Sequence, residues 1–234
     1  MKKISLFLIL SVLLITPVLI SCSPPAILTA DQVLQKMAEN SKNLKTGEIT
    51  LDMEMSIGGS SIKIDSTGVF ENPDKSFMTM NMMGSTVQVL VLSPKEIYTR
   101  QGESGKWTRS PDAAETQTGS LYDFTKNPEL LLKYYKNAEL LPEKSTSECT
   151  KDCYHVSFEL DVAELFSATG AMQSALQNVK FSAPAEVKLW IDKSDFFTHR
   201  QESSFNMNVN NQDVEVKVII TQAGINQPVT IPSP

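Results

Sequence analysis

From residue 49 onward apolar side chains fall on every second position. Ile49, Leu51, Met53, Met55 and Ile57 alternate with Thr50, Asp52, Glu54 and Ser56. A period of two places all the apolar side chains on one face of a strand, so this segment is predicted as a strand with one buried and one wet face. Gly58-Gly59 supplies a hairpin turn, and residues 61–70 return with Ile62, Ile64 and Phe70. Asn72-Pro73-Asp74 turns the chain again. Residues 77–83 and 86–92 form the next pair around Gly84, and 96–101 with 106–109 another around Gly102 and Gly105. The first half is therefore predicted as a meander of about six strands.

The period lengthens elsewhere. Thr29, with Gln32 three residues on, makes a capping box. Val33, Leu34, Met37 and Leu44 then share one side of a predicted helix that Gly47 ends. Asn127-Pro128 has the form of an N-cap followed by a first-turn proline, with Leu130, Leu131, Tyr134 and Tyr135 at helical spacing. Strands are predicted over 138–146 and 153–161, the second with Tyr154, Val156, Phe158 and Leu160 on one face. Residues 163–179 predict a third helix, weakened by Gly170. Strands over 186–192, 197–209 and 214–221 follow, and residues 228–234 form an exposed or edge-lying tail. This order predicts an α+β fold, one strongly curved antiparallel sheet with its helices gathered on one side. Such a pair of layers can enclose a ligand cavity.

The chain begins in another style. Lys2 and Lys3 precede the uncharged run Ile4 to Ile20, which Ser5, Ser11, Thr16 and Pro17 interrupt. A spanning helix needs about 20 consecutive apolar residues, so the layout is that of a secretory signal. The run closes on Leu19-Ile20-Ser21-Cys22, which resembles the bacterial lipobox. In that family the cysteine thiol receives a diacylglycerol and signal peptidase cuts before it. The resemblance implies a signal peptide over 1–21 and a lipid anchor on Cys22. Ser23-Pro24-Pro25 opens a short stiff spacer over 22–28, and 29–234 remain as a single domain. Two or three acyl chains would make attachment durable where one gives only a marginal hold. The expected place is the cell membrane or the outer membrane, with the domain on the extracytoplasmic side. Ser23 stands where the inner-membrane retention signal of diderm bacteria has aspartate.

Charge narrows the partners. From Cys22 onward 19 basic side chains face 27 acidic ones, a net charge of −8. An acidic surface argues against nucleic acid and against electrostatic binding to anionic headgroups. Cys149 and Cys153 form an even pair in an exported protein, which points to a disulfide across a short turn. The rival is a metal site with His155, but two thiolates and one imidazole leave a ligand missing, and His199 is far along the chain. No nucleophile elbow, zinc-protease motif, phosphate loop or dinucleotide fingerprint is present, so no catalytic residue and no cofactor is assigned. Trp107 and Trp190 lie at strand positions and are expected to pack in the core or on the sheet.

Methionine is the unusual component. Met53, Met55, Met78, Met80, Met82 and Met83 are six of the ten in the chain. Flexible, polarisable side chains suit a surface that accepts varied apolar shapes.

Several segments in this order resemble the lipoprotein-carrier (LolA/LolB-like) superfamily, and within it the LppX/LprG-type lipid-carrier lipoproteins. They are Asp31-Gln32-Val33-Leu34-Gln35-Lys36-Met37, Asn127-Pro128-Glu129-Leu130-Leu131-Leu132, Cys153-Tyr154-His155-Val156, Val187-Lys188-Leu189-Trp190-Ile191-Asp192-Lys193 and Gln227-Pro228-Val229-Thr230-Ile231-Pro232. The resemblance implies an incomplete β-barrel of about eleven strands with helices covering its concave face. It also implies a hollow that holds lipid acyl chains and moves them between envelope membranes, without catalysis. Acyl chains are then expected against Met53, Met55, Met80, Met82, Val89, Val91, Leu189 and Met207. The alternative is an envelope sensor or assembly factor that uses the same fold to bind a protein partner.

Overall fold

The computed structural model describes residues 28–110, 128–142, 146, 149, 152–169 and 179–234. The expected signal peptide, Cys22 and the spacer up to residue 27 lie outside them, as does the 170–178 portion of the third predicted helix.

The alternating segment forms β1 (Thr46–Ile57), which pairs antiparallel with β2 (Ser60–Glu71). Gly58 and Gly59 join them with φ of 56° and 86°, values a side chain would strain against in a two-residue hairpin. β3 (Lys75–Met82), β4 (Ser85–Ser93), β5 (Glu96–Gln101) and β6 (Thr108–Arg109) extend the meander outward. On its other side β1 pairs with β12 (Gln212–Ala223), the last strand of the chain. From β12 the sheet continues through β11 (Thr198–Val209), β10 (Ala185–Asp192) and β8 (Cys153–Leu160) to β7 (Tyr135–Leu141). β9 (Val179–Phe181) pairs separately with β11. Among the described residues the sheet has 12 strands rather than about eleven, and it stays open, its main path running from β6 to β7. Register shifts at Val91/Ser93, Trp190/Ile191 and Lys136/Glu139 mark bulges, which bend strands and increase twist. The α+β fold with an open curved sheet is the one expected.

Among the described residues three helices accompany the sheet: α1 (Ala30–Ser41), α2 (Pro128–Tyr134) and α3 (Val162–Thr169). α1 starts on the expected capping box. The Thr29 N–H donates to Gln32 Oε1 at 2.9 Å, and the Gln32 N–H donates to Thr29 Oγ1 at 3.3 Å. It ends at Ser41, earlier than the apolar stripe through Leu44 suggests. Backbone N–H groups of Asn43 and Leu44 turn back onto the carbonyls of Asn40 and Ser41. Gly47 therefore belongs to β1, where the Phe70 ring lies over it and would stand 2.7 Å from any Cβ. β7 likewise begins at Tyr135, where the helical spacing continued and a strand was expected only from 138. Tyr135 pairs with Leu160, its ring meets Phe158 edge-on at 5.9 Å, and its hydroxyl donates to Asp31 Oδ1 at 2.7 Å. Burial, then the bond to Asp31 and the charge of Asp31, push the Tyr135 hydroxyl up to about 12.

Val33, Leu34 and Met37 of α1 bury against Val156, Phe158, Val187, Leu189 and Ile191, with Leu165 of α3 in the same cluster. The helices thus cover the β8–β10 part of one sheet face.

Candidate functional site

Strand register decides which side chains share that face. Across the ladders, Val156, Leu189, Gln201, Ile220, Leu51, Ser66, Met80 and Val87 are successive partners from β8 to β4. The neighbouring row runs Ser203, Val218, Met53, Ile64, Met82. Beyond it lie Phe205, Val216, Met55 and Ile62, then Met207, Val214 and Ile57. On the other side, Gly68, Met78 and Val89 are partners, as are Phe70, Ser76 and Val91. Because directly opposed residues point the same way, all eight expected residues stand on the face that the helices cover in part. They are Met53, Met55, Met80, Met82, Val89, Val91, Leu189 and Met207.

Their exposure differs. Leu189 is 1% exposed beneath α1, within the packed core, so a ligand reaches it only if α1 moves. Val89 is buried as well. Met53, Met55, Met80, Val91 and Met207 are half-buried, and Met82 is exposed. Val214, Val216 and Val218 form the floor of a second apolar cluster with Leu51, Met53, Met55, Ile57 and Met207. Phe205 packs against both this cluster and the one under α1, so the apolar surface is continuous from the part the described helices cover to the part they leave. Met78 and Ile64 belong to it too. Their place was available from alternation alone, since Met78 has the parity of Met80 and Met82.

A partly open space of about 50 Å³ lies between α1 and the sheet, lined by Met37, Leu44, Leu131, Leu189, Phe196 and Gln201 among others. Ligand pockets usually hold about 300–1,000 Å³, so this space by itself is too small for an acyl chain. The apolar face over β1–β4 lies outside that space. A wider recess of about 500 Å³, lined by Gly58, Gly59, Asn206, Met207 and Val214, opens at the strand ends beside it.

The opposite face carries two compact clusters of its own. Trp190, 1% exposed, stacks on His155 with ring centroids 4.4 Å apart, and Arg200 lies over it at 5.7 Å. Cys149 and Cys153 pack on the same ring, with Cα atoms 6.2 Å apart, inside the range a disulfide spans. His155 Nδ1 sits 3.2 Å from the Pro142 carbonyl, which only accepts, while its buried Nε2 has no partner. Further out, Trp107 meets Phe77 edge-on at 6.4 Å and Arg100 lies 4.4 Å over its ring. Both tryptophans therefore pack on the sheet, away from the helix-covered face.

Among the described residues no three His, Cys, Asp or Glu side chains are grouped to hold a metal ion. The polar feature with a directed charge is the turn after β10. Burial works against the Asp192 carboxylate. The Ser194 hydroxyl, the N–H groups of Ser194 and Asp195, and His199 prevail and hold it below its ordinary value. The sign follows from the lowered value. Asp192 adds stability above its unfolded pKa, near 3.8, and that contribution is lost as pH falls through the folded pKa. Asp192→Asn is expected to flatten the acid limb of the stability curve below about pH 5. Denaturation midpoints across that range check this; coincident limbs for the two proteins would refute it.

No curated protein matches the sequence. Among solved structures, LprF from Mycobacterium bovis is similar at 17% identity over 88% of this chain and 96% of that one, with a TM-score of 0.54. The MucA/MucB complex of Pseudomonas aeruginosa is similar at 10% identity over 88% and 61%, TM-score 0.38. A LolA superfamily protein from Nitrosomonas europaea is similar at 10% identity over 83% and 94%, TM-score 0.31. The likeness to LprF is one of fold, and the open curved antiparallel sheet with helices expected from the sequence is the fold found. Residues 29–227 match DUF6612, described as a family of unknown function; the match takes in α1, the whole sheet and the apolar face, and the chain belongs to that family.

Proposed function

We propose that this protein is an envelope lipoprotein whose apolar sheet face holds the acyl chains of a lipid and passes them on. Residues 1–21 are removed in export, Cys22 carries the anchor, 22–28 form the spacer, and 29–234 form the ligand-binding domain. The observation that carries this reading is the continuity of the face. Methionine and aliphatic side chains from β11 across to β4 share one side of the sheet, and between Lys75 and Lys95 the chain has no charge. Covering such a surface with hydrocarbon gains about 25 cal/mol per Å² removed from water. The described helices leave the face over β1–β4 uncovered, and the chains lie along it.

Native mass spectrometry of protein purified from its own host, without added lipid, is the direct test. A bound species with the mass of a lipid, recovered by solvent extraction, is expected. A bare polypeptide mass with an empty extract would sink the reading. A stoichiometric polypeptide bound without lipid would give the face to a protein partner instead.

The cysteine pair belongs to the same proposal, since export places it in an oxidising compartment. Cys149 and Cys153 are bonded, and both pack against Trp190. Closing so short a loop contributes roughly 2 kcal/mol. Cys149→Ser/Cys153→Ser is expected to lower stability by about that much. Alkylation of both thiols before any reductant is added would contradict the bond.

A further inference from the structure

Met83 is 80% exposed and Met82 47%, and both sit at the tip of the β3–β4 hairpin. Large apolar side chains this open to water are uncommon at a turn, where polar residues cost nothing. The turn itself is well formed, with Met83 and Gly84 at φ of 50° and 81°. The whole hairpin, from Ser76 to Pro94, is free of charge in a chain of formal net charge −6.

Strand directions locate this tip. With every ladder antiparallel, β1, β3, β5, β8 and β11 end on one rim of the sheet, and β7 and β10 begin there. The N-terminus of α1 is tied to the same rim by the 2.7 Å bond between Asp31 and Tyr135, the first residue of β7. Cys22 precedes Thr29 by seven residues. At about 3.3–3.6 Å per residue, those seven reach roughly 25 Å at most. A lipid on Cys22 therefore holds this rim, and not the opposite one, toward the bilayer.

We infer that the Met82-Met83 tip is the point where the domain dips into the bilayer to which Cys22 tethers it. This rests on the anchor and acyl-chain reading above. The tip has the chemistry for it. It carries no charge to desolvate, its side chains are flexible and apolar, and Met82 continues on the sheet face into Ile64 and Met53. An acyl chain leaving the bilayer at Met83 meets Met82, Ile64, Met53 and Val218 in turn. Because the domain is acidic, insertion is driven by the apolar tip and not by attraction to anionic headgroups.

The test uses the protein from its host membrane, reconstituted in phosphatidylcholine vesicles. Single cysteines at Ser85, on the tip, and at Lys95, on the opposite rim, carry a nitrobenzoxadiazole dye in separate samples. Bromine-labelled acyl chains should quench the Ser85 dye and leave the Lys95 dye unchanged, with no dependence on salt. Met82→Ser/Met83→Ser should lower that quenching roughly tenfold. Equal responses of the two dyes, or quenching that appears only with anionic lipid at low salt, would overturn the inference. Circular dichroism verifies the fold of each variant. Flotation of the unlabelled protein, and its loss in Cys22→Ser, reports on the anchor by itself. Should the native chain not float, an N-terminal histidine tag on nickel-chelating lipid supplies the tether, and the dyes still decide.

Discussion

Lysines introduced together at Met53 and Met80 should abolish lipid co-purification and leave the protein folded. The two residues stand in adjacent rows on the same sheet face, Met53 between Val218 and Ile64, and Met80 between Ser66 and Val87. Both are half-buried, so a lysine at either place can turn its ammonium to water while the face is empty. Once hydrocarbon covers the rows, the charge must be desolvated with no acid opposite it. Affinity should fall at least roughly hundredfold. The control is a lysine at Thr67, which β2 points to the other, wet side and which is exposed. Native mass spectra of the double variant and the control settle the outcome, with far-UV circular dichroism to verify the fold. Lipid retained by the double variant at the level of the control would remove this face from ligand binding.

The largest effect on stability is expected from Trp190→Ala. The indole is 1% exposed, between His155, Arg200 and the two cysteines. Losing a buried indole costs about 3–5 kcal/mol. A domain of this size has about 5–15 kcal/mol in all. The variant should therefore unfold at much lower denaturant, and part of it should be unfolded at 37 °C. Trp190→Phe, which keeps a ring against His155, should recover much of the difference. The cluster is on the far side of the sheet from the methionines, so lipid bound per folded molecule should not change. An alanine variant as stable as the parent would show that the cluster adds little to the fold. A stable variant without lipid would assign the far side a part in binding.

The strand meander was legible because one-sided burial writes a period of two into the chain, as from Ile49 to Ile57. Parity also sufficed to put Met53, Met80 and Met207 on a common face, since antiparallel partners inherit it. What parity cannot reveal is which strands meet. β1 joins β12 across most of the chain, and no local pattern encodes that ladder. The position of Leu189 under α1 escaped for the same reason, because burial by a helix depends on where the helix docks. The end of α1 was misplaced since Leu44 prolongs the apolar stripe after the backbone has turned. The outer clusters around Trp190 and Trp107 gave little signal, since each indole finds its ring partner, His155 or Phe77, on another strand. Cys22 and its lipid stay a reading of the first residues alone.

Among the described residues the sheet does not close from β6 round to β7, and on the proposed function this bears on selectivity. A closed barrel has its radius set by strand number and shear, and cargo must match a fixed bore. An unclosed sheet has no such constraint. It can tighten or relax its curvature while every ladder bond is kept, so the width of the trough follows its contents. Such a holder discriminates poorly by girth. It would take one acyl chain or several, straight or kinked, and leave the choice of cargo to whatever delivers it.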